Sequence, residues 1–133
     1  MGRRMSLMRA VGAVLAFALA LVLAGCSSGS TATYRSVSAQ EAKELMETES
    51  DYVILDVREA SEYAERHIPG AKLLPVGEIE DIAEVELPYK KPLILVYCRS
   101  GNRSKTAAEA LAKLGYTNVV EFGGINDWPY ETE

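Results

Sequence analysis

Two near-continuous apolar runs, YVILDV (residues 52–57) and PLILVY (residues 92–97), constrain this chain more than any other feature. A strand with one wet face alternates apolar and polar residues, whereas an unbroken apolar strand must be covered on both faces, as in a parallel sheet clothed by helices. The segments between the runs carry helical spacing. SAQEAKELMETE opens with Ser38 and Glu41 at capping-box spacing, and Ala42, Leu45 and Met46 form an apolar stripe. EASEYAER reads as a short helix stopped by HIPGA, where Pro69 and Gly70 force a turn. VGEIEDIAEVEL reads as a helix with Ile79, Ile82, Ala83 and Val85 inward. After Cys98, residues Ala107, Ala110, Leu111 and Leu114 keep the helical period up to Gly115, placed as a C-cap glycine. YRSV, AKLLP and NVVEF read as further strands, and GGINDW as a glycine turn with one helical turn. Strands alternating with helices predict an α/β fold of three layers: a central, mainly parallel sheet of about five strands with helices on both faces. Ligands of such sheets bind beyond the carboxyl ends of the strands, and Cys98 ends the second apolar run.

The first 25 of the 133 residues read as a signal peptide. Arg3, Arg4 and Arg9 make a basic start, no acid precedes Glu41, and the apolar run VGAVLAFALALVL (residues 11–23) is short for a membrane span. LAGC (residues 23–26) resembles the lipobox of bacterial lipoproteins, which implies that Cys26 is lipidated and becomes the first residue after cleavage. Residues 26–33, CSSGSTAT, then form a flexible tether spanning roughly 16 Å on average, and residues 34–133 form the single folded domain. From Cys26 onward 11 basic residues face 19 acidic ones, which argues against nucleic acid and against electrostatic adhesion to anionic lipid. Membrane attachment is expected through acyl chains, on the periplasmic or extracellular face of a bacterial membrane.

With Cys26 lipidated, Cys98 has no intramolecular disulfide partner. An unpaired thiol in an exported protein is either buried and inert or reactive. The segment YCRSGNRS places Cys98 between a buried strand and a helix beginning near Arg103 or Ser104. A helix start offers free N–H groups and a positive dipole end, and Gly101 can turn successive amides inward into an anion-binding nest. Cysteines so placed have pKa values lowered from about 8.5 to roughly 3.5–7.5, so no side-chain base is needed. His67, the sole histidine, is expected to hold the HIPGA turn rather than serve as a base. One histidine and one candidate thiolate make no metal site, and no cofactor is expected.

Three blocks resemble the rhodanese family of sulfurtransferases in the expected order: LDVREASEYAERHIPGA (residues 55–71), YCRSGNRS (residues 97–104) and GGINDW (residues 123–128). The resemblance implies that Cys98 accepts a sulfane sulfur as a persulfide, cradled by Arg99, Ser100, Gly101, Asn102 and Arg103, and yields it to an acceptor. It implies a thiosulfate-like anion as donor and cyanide, a thiol or a thioredoxin-like protein as acceptor. Arg99, following the cysteine, is similar to the thiosulfate-using branch, and with Arg103 would grip the donor's sulfonate. Bracing of the loop against a carboxylate is the alternative for Arg103. Asp56 and Arg58 match a pair that organises the loop from beneath, and Gly123, Gly124 and Trp128 a wall or packing corner. Cysteine phosphatases place five residues between Cys and Arg; here four intervene, and a nest of that size suits one sulfur better than a phosphate. A non-catalytic binding or sulfur-sensing module of the same fold is the competing function, ahead of a phosphatase or arsenate reductase.

Overall fold

The computed structural model describes residues 33–133; the leader, Cys26 and the tether up to residue 32 lie outside the described residues. The elements in order are β1 (Arg35–Ser36), α1 (Ala39–Thr48), β2 (Tyr52–Asp56), α2 (Ala60–Glu65), β3 (Lys72–Leu73), α3 (Ile79–Glu86), β4 (Leu93–Cys98), α4 (Asn102–Lys113) and β5 (Val119–Gly124). Short 3-10 turns precede α3 (Val76–Glu78) and follow β5 (Ile125–Asp127). The five strands form one parallel sheet in the order β1-β5-β4-β2-β3. The α/β architecture read from the alternating runs is thus the one observed.

Both apolar runs lie inside the sheet, β4 between β2 and β5, and all six residues of β4 are buried. Alternation sorts them between two cores. Ile94, Val96 and Cys98 pack with Ile79 and Ala83 of α3 and with Ala107, Ala108 and Leu111 of α4. Leu93, Leu95 and Tyr97 pack on the other face with Ala42 of α1, Ile68, Phe122 and Trp128. Each fully buried Leu, Ile or Val contributes about 1.5–3 kcal/mol, so this central strand anchors both layers.

Local signals explain the ends of the helices. The Ser38 hydroxyl accepts the Glu41 N–H at 3.1 Å and caps α1. Gly115, at φ +97°, ends α4 where only glycine is comfortable. Val85 departs from the expected stripe, being 78% exposed. The segment begins as a 3-10 turn and α3 proper runs from Ile79; at about 100° per residue, positions 79 and 83 share the core face and 85 falls on the outer side. The final strand also runs further than NVVEF, continuing through both glycines.

The strand order creates the site. The helix leaving β4 leads to β5 on one side, whereas the helix leaving β2 leads to β3 on the other. Connections that diverge from neighbouring strands open a crevice at their carboxyl ends. Asp56 ends β2 and Cys98 ends β4, so both stand at that crevice.

Candidate active site

Cys98 is 1% exposed, beneath the loop Arg99–Ser100–Gly101 that leads into α4. Gly101 takes φ +111°, a left-handed conformation that is costly for other residues, and this turns its N–H onto the Cys98 Sγ at 3.0 Å. The helix begins at Asn102, one residue before the expected start, and its first turn carries no acid. Ser104, fully buried one turn into the helix, places its Oγ 3.5 Å from the sulfur. Burial pushes the Cys98 thiol up; the Ser104 hydroxyl and the backbone amides of Ser104, Gly101 and Ser100 outweigh it, and the thiol sits below its ordinary value. The buried sulfur is therefore a polarised one. An inert hydrophobic cysteine would show the opposite shift.

The floor under this loop is built from β5. Its register against β4 slips between Val96 and Cys98, which pair with Glu121 and Gly124, so β5 carries one extra residue there. Gly123 absorbs the bulge at φ +88°. Gly124 then lies so close to the loop that a Cβ on it would stand 1.9 Å from the Arg99 carbonyl oxygen. The Asn126 N–H donates to that same oxygen at 3.2 Å. Trp128 lies deeper, 7% exposed, its ring 5.4 Å from that of Phe122, and supports this corner from the second core.

Asp56 and Arg58 brace the crevice from the opposite face. The Asp56 carboxylate is fully buried and accepts from the Arg58 N–H, Nε and Nη2 and from the Tyr97 hydroxyl at 2.6 Å. Arg58 also donates to the Arg66 carbonyl, and the Tyr97 hydroxyl accepts the Ile68 N–H. Tyr97 precedes the nucleophile, so this network ties the end of β4 to β2 and to the HIPGA turn. His67 is part of that turn, its Nδ1 3.0 Å from the Tyr63 carbonyl and its ring stacked on Tyr63.

The arginines of the loop part company. Arg103 lays its guanidinium bidentate on Glu62 of α2, at 2.7 and 2.9 Å. That contact holds the Glu62 carboxyl down at about 2. In this arrangement Arg103 braces α4 against α2. Arg99 is exposed and lines a cleft of about 140 Å³ with Arg58, Arg66, Glu62, Glu65 and Asn126. Ser100 and Asn102 are exposed at the loop surface.

Three residues at the site escaped the reading of the sequence: Glu62, Ser104 and Glu121. Glu121 is 2% exposed and accepts from the Ser104 hydroxyl at 2.8 Å. Its signal was an acid inside the apolar run VVEF, a place where an ionisable residue is costly unless it is hydrogen-bonded. Ser104 closes the quoted loop motif, and Glu62 lies in the first block, but neither contact follows from spacing.

The family profile described as Rhodanese-like domain matches residues 38–130. The chain is 36% identical over 73 residues to the thiosulfate sulfurtransferase PspE of Escherichia coli (strain K12), 55% of this chain and 70% of that protein. It is 35% identical over 108 residues to YrkF of Bacillus subtilis (strain 168), spanning 80% of this chain and only 57% of that longer protein. Among solved structures, a rhodanese with anions from E. coli superposes with a TM-score of 0.58 at 32% identity, over 62% of this chain and 96% of that one.

Proposed function

The chain belongs to the rhodanese-like domain family, and from that premise we propose that it is a sulfurtransferase working through a persulfide on Cys98. The observation that carries the reading is the Gly101 N–H donated to a Cys98 sulfur whose thiol is held below its ordinary value. The Cys98 thiolate attacks the outer sulfur of thiosulfate or a similar sulfane donor. An S–S bond forms, the donor's own S–S bond breaks, and sulfite leaves with the electron pair. A thiophilic acceptor such as cyanide or a thiolate then takes the outer sulfur and returns Cys98 as thiolate.

Arg99, exposed on the cleft beside the loop, receives the sulfonate end of the donor and steadies the departing sulfite. Arg103 acts as a brace while Glu62 holds its fork. The basic start, the apolar run and LAGC support export and attachment to a bacterial membrane through acyl chains on Cys26.

Intact-mass measurement after incubation with thiosulfate tests the chemistry. The wild-type protein should gain one sulfur, about 32 Da, and Cys98→Ser should gain none. Arg99→Gly should load from thiosulfate about tenfold more slowly, the loss of one charge-assisted contact at an exposed site. No adduct from any sulfane donor would leave a binding or sensing module as the function.

A further inference from the structure

Glu121 has no role in the sulfur-transfer steps, yet it is 2% exposed at one remove from the nucleophile. Among the described residues no lysine, arginine or histidine lies within ion-pair distance of it. A buried carboxylate without a cation carries a heavy desolvation cost. Its contacts are all neutral donors. Oε1 accepts from the Ser104 hydroxyl at 2.8 Å and from the Gly123 N–H at 2.7 Å, and Oε2 accepts from the Ser36 hydroxyl at 2.8 Å.

Ser104 is the hinge of this arrangement, because one hydroxyl carries one proton. Its Oγ stands 2.8 Å from Glu121 Oε1 and 3.5 Å from Cys98 Sγ; the Gly101 and Gly123 carbonyls, at 3.0 and 3.3 Å, are neutral acceptors and compete weakly with an anion for its proton. Two arrangements give the serine proton to an anion and satisfy all three groups. In the first, Glu121 is ionised, the hydroxyl donates to it, and the Ser104 lone pair accepts the Cys98 S–H. In the second, the sulfur is ionised, the hydroxyl donates to the sulfur, and Glu121 must carry a proton to face the serine oxygen. A thiolate beside an ionised Glu121 leaves one of the two anions without the serine proton.

We propose that Cys98 and Glu121 share a single negative charge through the Ser104 hydroxyl, with Glu121 holding the proton that the nucleophile gives up. The S–H bond breaks as its proton passes to Ser104 Oγ, and the serine proton passes to Glu121 Oε1. The serine is unchanged, one proton has moved, and the net charge stays at one. Glu121 is thus a positioning and proton-holding residue acting through Ser104. This deepens the sulfur-transfer reading, on which its use in catalysis rests.

The surroundings isolate the pair. Towards Glu121, β1 presents Ser36, α4 presents Ser104, and β5 presents its own Gly123 amide. The charged groups near Cys98 are Arg99 in the loop and Arg103, whose fork is on Glu62 of α2. Asp56 and Arg58 lie with Tyr97 at the other face of the sheet.

Alkylation of Cys98 by iodoacetamide against pH, on the full-length protein, tests the proposal without any sulfur donor. Two interacting sites release protons in two macroscopic steps. The wild-type rate should rise in two steps separated by a plateau, and Glu121→Gln and Ser104→Ala should each lose one step. A single step in the wild type, or two steps surviving in Glu121→Gln, overturns it. Should these variants fail to fold, infrared difference spectra of alkylated against free wild-type protein decide. Alkylation should abolish a protonated-carboxyl C=O band, and no such change overturns the proposal. A two-step profile without a thiosulfate adduct would keep the pair and sink the sulfur-transfer reading.

Discussion

Gly124→Ala is the substitution through which the fold most directly controls the chemistry. A Cβ at this position would meet the Arg99 carbonyl oxygen at 1.9 Å, its carbon at 2.2 Å and the Ser100 nitrogen at 2.5 Å. All three are backbone atoms, so no flexible side chain can yield. Ordinary contact begins near 3.4 Å, which requires a retreat of about 1.5 Å at Arg99. Gly101 lies two residues further on, and its N–H sits 3.0 Å from the Cys98 sulfur. A shift of that size carries it beyond hydrogen-bond range. A bond to a charged group is worth about 1.5–3 kcal/mol, or about 1–2 pKa units. Overpacking should cost about 1–3 kcal/mol of stability in addition. Gly77→Ala is the control, since nothing lies within 4 Å of its added Cβ. The measurements are urea unfolding and the pH midpoint of the lower step of Cys98 alkylation in both variants and the wild type. Gly124→Ala should unfold at lower urea and alkylate at a higher midpoint, with Gly77→Ala close to wild type on both. Wild-type stability and midpoint in Gly124→Ala would refute the claim that β5 holds the loop on the sulfur.

Two further outcomes are expected. The Arg103 contact holds the Glu62 carboxyl at about 2, below its ordinary 4.5, so its stabilisation is present above pH 4.5 and fades as pH falls toward 2. Both side chains are partly exposed, at 33% and 20%, so Glu62→Gln should cost only about 1 kcal/mol at pH 7. That gap should close through the same window in urea titrations, and a gap independent of pH would exclude the ion pair as its source. In bacterial cells, an alkyne-tagged fatty acid should label the wild-type protein and not Cys26→Ser. Equal labelling of the two would remove the anchor from the proposal.

The layout of the sheet was legible because YVILDV and PLILVY leave no face free for water, and a strand pair buried on both sides requires helices above and below. Cys98 at a strand end followed from the same reading. Val85 was misplaced against the helical period itself: within α3 it lies about 140° around the axis from the midpoint of Ile79 and Ala83, on the outer side. The contacts of Arg103 with Glu62 and of Ser104 with Glu121 span 41 and 17 residues. They depend on how α2 is carried toward α4 and on the one-residue slip in β5, neither of which leaves a local periodic trace. The bulge itself was half visible in the paired glycines, which were read as a turn following the strand rather than as its last two residues.

Both borders of the sheet, β1 and β3, are only two residues long. Unpaired strand margins are templates on which another chain can extend a sheet, and length is what makes them effective. Among the described residues the long ladders lie inward, and the sheet offers a neighbouring copy almost nothing to zip onto. Copies of the folded part, residues 33–133, crowded side by side should therefore keep their separate identities, colliding without fusing edge to edge.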